Sequence, residues 1–203
     1  MPPPPSAEGM QAVNIAALLI RLIVGITMIA HGWNHAFGGG RIAGTARWFA
    51  SIGVRPAMLN ALAATATELG AGTLLVLGLV RPLAAAAVIG TMLVALVTNH
   101  LRNGFFIFRP GEGYEYVLMI IVVSCAAGAL GGGQWSVDHL IGIDSQIGGI
   151  QLSGWVGLVV AAGLGLITGT GTVAACWRPG PPARGSTPVP ETHAAAAADN
   201  AAD

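Results

Sequence analysis

Residues 14–30 read NIAALLIRLIVGITMIA, an apolar run interrupted by a single charge, Arg21. About 20 apolar residues in a helix cross the hydrocarbon of a bilayer. Runs of this kind recur at residues 58–79, 83–98, 114–130 and 154–177. Each must be helical, because hydrocarbon holds no water to satisfy an open backbone N–H or C=O. Pro82 suits the start of the third helix, where its missing N–H costs nothing. Gly131-Gly132-Gly133 stops the fourth, and the fifth run is rich in Gly and Thr. The sequence predicts an all-α polytopic membrane protein, a four-helix transmembrane bundle with a fifth, C-terminal transmembrane helix.

Composition agrees with that reading. Of 203 residues 54% are hydrophobic and 9% charged, against roughly a quarter charged in a soluble domain. Such a chain cannot cover a surface facing water. The net charge is zero and no basic or acidic block occurs, which excludes an electrostatic footprint for nucleic acid. All nine cations are Arg, which with abundant Ala, Gly and Pro suggests a GC-rich bacterial coding sequence. Cys125 and Cys176 each sit in an apolar run without a CxxC spacing or a nearby His, so they read as packing residues. Residues 1–13 are expected to be a disordered N-terminus, Pro-rich and without the basic start of a secretory signal, so the first apolar run is expected to be retained. Residues 14–138 form the bundle, 139–153 an extracytoplasmic interfacial segment, 154–177 the fifth span and 178–203 a disordered tail.

The arginines orient these spans. Arg41, Arg47 and Arg55 follow the first helix, Arg102 and Arg109 follow the third, and Arg178 and Arg184 follow the fifth, whereas the other side carries Arg81. The positive-inside rule then puts the first and third loops and the C-terminus in the cytoplasm and the N-terminus outside.

Ionisable residues inside the runs are the sharper signal. Arg21 and Glu68 fall near the middle of the first and second apolar runs. A lone charge at that depth costs a few kcal/mol or more, so a buried Arg21–Glu68 ion pair is the simplest expectation. It either fixes helix register or borders a polar cavity. His31, His100 and Glu115 fall at helix ends on one side. Their chemistry suits a quinone head group, which a His and a carboxylate can hydrogen-bond while relaying protons. Two imidazoles would also suit haem or a metal. A plainer alternative is that they reach interfacial water, and His35 in the adjoining loop is a further candidate ligand.

Arg21-x3-Gly25-x5-His31-Gly32, then Glu68-Leu69-Gly70-Ala71-Gly72, Leu77-Gly78-Leu79 and Arg81-Pro82, together resemble the DoxX family. The resemblance continues through His100, Gly104-Phe105, Gly113-Tyr114-Glu115-Tyr116 and Trp135-Ser136-Val137-Asp138, and so covers about residues 15–138. It departs at His35, where members often carry Lys, and in the fifth helix and tail, which a typical four-helix member lacks. The resemblance implies a bacterial plasma membrane and a redox setting: respiratory-chain oxidoreductase complexes and their electron transport, terminal oxidases and, in actinobacteria, superoxide dismutase.

The leading expectation is an accessory, non-catalytic membrane subunit that recruits or stabilises partners, superoxide dismutase among them, within a respiratory supercomplex. No cofactor is expected on the chain itself, which has no iron–sulfur cysteine pattern or haem-attachment motif. The rival expectation is a quinone-reactive oxidoreductase subunit that uses His31, His100 and Glu115. A transporter is a third class, but the chain has no inverted repeat or Gly/Pro-broken helix pair. Residues 135–149 are expected to lie along the outer membrane face, with Trp135 in the headgroup layer and Ser136 and Asp138 beside it, open to an extracytoplasmic partner.

Overall fold

The computed structural model describes residues 6–143, 146–147 and 149–180. Helix α1 (Ala7–Phe37) has 31 residues and extends beyond its apolar run at both ends. Its start is fixed by Ser6, whose hydroxyl accepts from Gly9 N at 3.2 Å, with Glu8 in the first turn where the helix dipole favours an anion. Residues 7–13 are therefore helical and not a disordered lead. The expected disorder of residues 1–5 and 181–203 falls outside the described residues.

After α1 come the short α2 (Arg41–Ser51), α3 (Ala57–Leu77) and α4 (Arg81–Ala95). Helix α4 continues as a π-helical turn, Leu96–His100, and a 3-10 turn, Leu101–Asn103. Helix α5 (Glu115–Leu130), the one-turn α6 (Val137–Leu140), a hairpin of β1 (Gln146–Ile147) and β2 (Ile150–Gln151), and α7 (Gly154–Cys176) complete the fold. In the hairpin Gln146 pairs with Gln151 and Ile147 with Ile150.

Among the described residues four helices are long and apolar enough to cross a bilayer: α1, α3, α4 with its extension, and α7. The Gly- and Thr-rich last segment is thus a full-length helix, and the short one is α5. At 16 residues α5 spans about 24 Å, less than the roughly 30 Å of hydrocarbon. It nonetheless joins the two ends of the bundle, since Tyr116 meets His100 at one end and Gln134 N donates to Asn14 at the other.

Helices α1, α3, α4 and α5 form a closed ring, each packed on its two neighbours, and α7 lies outside it against α4 and α5. Val24, Met28, Leu75, Val88, Met92 and Val117 fill the ring. Lipid gives no hydrophobic drive between helices, so close approach of small residues must hold them. A Cβ on Gly25 would sit 2.7 Å from Gly72 O, and one on Gly72 would sit 2.7 Å from Gly25 O, which fixes the α1–α3 register. Gly165 and Gly169 of α7 meet α4 at Ile89 and Gly90 with similar closeness.

The two ends differ in composition. At the arginine-rich end, α2 folds back beside α1 and α3, and the α2–α3 connection is laced to the end of α7: Arg55 N donates to Cys176 O at 2.8 Å and Arg178 N to Gly53 O at 2.7 Å. Arg102 lies over the Trp177 ring, 5.9 Å from its centroid. The opposite end carries the α3–α4 turn, the loop 131–136 and α6. The expected interfacial segment at 135–149 is this loop, α6 and the start of the hairpin.

Candidate functional site

The Arg21–Glu68 pair does not form. The register set by Gly25 and Gly72 brings Arg21 against the end of α3, where its Nη1 donates to Val76 O at 2.6 Å and its Nη2 to Trp135 O. Glu68 lies eight residues earlier on α3, about 12 Å along the axis. Both residues do lie near the middle of their helices, but the Gly25–Gly72 register sets those two middles at different depths. Arg21 is 3% exposed, and its Nε has no partner.

Near Arg21 the loop after α5 folds inward. Asp138, 2% exposed, accepts from Arg81 Nε at 3.0 Å and from Val80 N at 3.0 Å, while its own N–H donates to Gly78 O at 3.2 Å. Val80 has φ +46°, a left-handed conformation costly for a β-branched residue, and Asp138 holds its N–H there. Ser136 is also buried, accepting from His139 N at 3.2 Å. Ser136 and Asp138 are therefore a clasp inside the bundle rather than an outward interface. Trp135, 51% exposed, keeps its surface position. Beside the clasp lies an open hollow of about 570 Å³ lined by Asn14, Arg81 and the glycine loop.

The arginine-rich end contains a more enclosed cavity of about 370 Å³, within the usual range for small-molecule pockets. His31, His35, Glu68, Asn99, His100 and Tyr116 line it. His35, which the sequence places in a loop, belongs to the last turn of α1, and its Nδ1 lies 3.0 Å from Glu68 Oε2. Neither atom completes an aligned hydrogen bond, so both retain capacity for another partner.

Across the cavity, His100 Nδ1 lies 3.0 Å from Glu112 O. A carbonyl only accepts, so Nδ1 donates and Nε2 is left turned toward the other polar groups of the cavity. Nε2 faces Tyr116 Oη at 3.3 Å and Asn99 Nδ2 at 3.2 Å. Two backbone devices set this geometry. The π turn buries both Thr98 and His100, although residues two apart on an α-helix lie about 200° apart. Glu112, at φ +61° between two glycines, turns its carbonyl toward His100 and Asn103.

The structure thus brings His31 and His100 to one cavity, as expected, but not Glu115. That carboxylate accepts from Ile107 N at 3.2 Å in the adjoining loop, and its neighbour Tyr116 faces the cavity instead. Glu68 supplies the carboxylate, and His35 joins as its partner. The described residues bring no three His, Cys, Asp or Glu side chains into a metal-binding group. Sequence reading missed Tyr116, Asn99 and the Glu112 carbonyl, and only the Gly111-Glu112-Gly113 pattern hinted at an unusual turn there.

No curated protein and no solved structure matches the chain. The DoxX family model matches residues 16–101, a shorter stretch than the motifs suggested, running from α1 to the end of the π turn and including Arg21, His31, His35, Glu68 and His100. Among the described residues four helices are able to span a bilayer, and the matched segment supplies most of the polar cavity wall, so the chain is a multi-pass membrane protein whose residues 16–101 match the DoxX family.

Proposed function

We propose that this protein is an accessory membrane subunit of a respiratory-chain oxidoreductase assembly, and that its contribution is a site for the head group of a quinone-class ligand. The supporting observation is the polar cavity: His35 with Glu68 on one wall and His100 with Tyr116 on the other, beside the apolar core of the bundle. A quinone carbonyl would accept from Tyr116 or from a protonated His35. A quinol hydroxyl would donate to Glu68 or to His100 Nε2. These groups bind and relay protons, while electrons would pass to a partner subunit. The positive-inside rule places this end, which carries Arg41, Arg47, Arg55, Arg102, Arg109 and Arg178, in the cytoplasm of a bacterial plasma membrane. Peripheral partners, superoxide dismutase among them, belong to the same reading, with Trp135, Leu140 and Ile141 exposed for contact at the outer end.

Titration of the purified protein in nanodiscs with a tail-less quinone analogue tests the site. Saturable one-to-one binding is expected, weakened about tenfold by Glu68→Gln or His100→Ala, roughly one hydrogen bond to a charged or buried group. Absence of saturable binding to the unaltered protein would overturn the head-group site. Mild-detergent isolation without respiratory subunits would overturn the accessory role.

A further inference from the structure

We propose that the ligand of this cavity enters sideways from the bilayer and lies with an apolar tail in the groove that α3 and α7 form over α4. The inference rests on the head-group reading and adds the route and the amphiphilic nature of the ligand.

Helices α3 and α4 are joined by a tight turn at Gly78 to Val80, and α3 and α7 both pack on α4 while scarcely touching each other. Away from the turn a furrow therefore runs along α4. Its walls are small: Ala63 and Ala64 on α3, Ala87 and Gly90 on α4, Thr168 and Thr172 on α7. All six line the same cavity as His35 and His100, so furrow and polar chamber are continuous. Ala63 and Thr168 are exposed within membrane-spanning helices, where the surroundings are lipid.

The hydroxyls along α4 and α7 also make no polar demand on an occupant of the furrow. Thr168 Oγ1 donates to Leu164 O at 2.7 Å, Thr172 Oγ1 to Thr168 O at 2.8 Å and Thr91 Oγ1 to Ala87 O at 2.9 Å. Each hydroxyl is satisfied by its own helix, which leaves a wall suited to hydrocarbon. Protein also crosses the end nearest water. Val54 and Trp177 pair as an antiparallel bridge, Trp177 Nε1 donates to Ile52 O at 3.0 Å, and Trp48, Phe49 and Ile52 line the cavity beneath. A polar chamber with these residues at its water-facing end, continuous with an apolar furrow between membrane helices, fits a polar ring carrying a hydrocarbon chain.

The test compares two quinone analogues with the same head, one tail-less and one prenylated, in nanodiscs. Ala64→Phe and Thr168→Trp, on different helices, fill the furrow from opposite sides. Each should weaken the prenylated analogue at least tenfold and leave the tail-less one within twofold, whose retained binding also reports an intact fold. Equal losses for both analogues, or no loss for either, would overturn the furrow. A tail-less analogue that binds the unaltered protein, together with a prenylated one that does not, would overturn the furrow and leave the head-group site standing. Failure of both analogues to bind would remove the site and the route together. On the unaltered protein, a prenylated probe with a photoreactive tail should label α3 and α7 at furrow positions. Labelling confined to Trp48 and Ile52 would place the tail at the water-facing end and reject lateral entry.

Discussion

Both ends of the bundle bury ionisable side chains, yet they use them differently. At the clasp, Asp138 engages Arg81 Nε, Val80 N and the turn carrying Gly78, and Arg21 donates to two carbonyls. The groups there are held by backbone, and a Cβ on Gly78 would come within 2.7 Å of Arg21 Nη1, so little can move. At the arginine-rich end His35 and Glu68 touch at 3.0 Å without an aligned hydrogen bond, beside open volume. Burial of charge is common to both. Open volume lies near both, and what separates the fastening from the site is that backbone groups pin the side chains of the clasp, whereas His35 and Glu68 keep bonding capacity toward the cavity they line.

The largest test of that contrast is Asp138→Ala, which removes the buried carboxylate that accepts from Arg81 Nε and Val80 N and should cost about 3–5 kcal/mol. In a detergent thermal melt, Glu68→Gln should cost about 1 kcal/mol or less, since it retains a hydrogen-bonding head. Equal losses would erase the distinction between the ends.

Packing that sets the separation comes next in size. Gly72→Ala drives a methyl against Gly25 O and Ile29 and should cost about 1–3 kcal/mol. Gly70→Ala, two positions earlier with nothing within 4 Å, should be neutral or gain up to about 1 kcal/mol by stiffening the helix. A melt in which both behave alike would count against the glycine register.

Tyr116→Phe removes one hydroxyl at His100 and should weaken tail-less quinone about tenfold while moving stability by about 1 kcal/mol or less. Unchanged affinity would take Tyr116 out of the head-group contacts. The smallest effect is an interaction energy. Arg21→Leu and Glu68→Leu should be additive within about 0.5 kcal/mol, as expected of sites with separate partners. Coupling well above that would reunite the pair.

The apolar runs made the bundle legible, because a bilayer permits so few backbone solutions. Residues 7–13 were misread because Ser6 and Glu8 make a helix start out of a Pro-led segment. Site residues were half legible. His31 and His100 stood out by type, although His31 lies inside α1, which runs on to Phe37, and not at its end. The error over Arg21 and Glu68 was one of register, which two glycines on different helices set and no single helix reveals. Glu115 was chosen over Tyr116 for its charge, yet adjacent helix positions point about 100° apart and only packing selects between them. Asp138 was placed outside because its partner Arg81 is 57 residues away in sequence.

The glycine seam of α7 also has a consequence in time. A chain is made from its N-terminus, so the ring can close while the last helix is still to come, with Ile89 and Gly90 facing lipid in the meantime. When α7 arrives, a Cβ at Gly165 would stand 2.6 Å from the Ile89 Cβ, so only a bare backbone can displace the lipid and seat there. The same seating brings Thr168 and Thr172 to the furrow. Synthesis of the chain therefore leaves the cavity unfinished until α7 has docked.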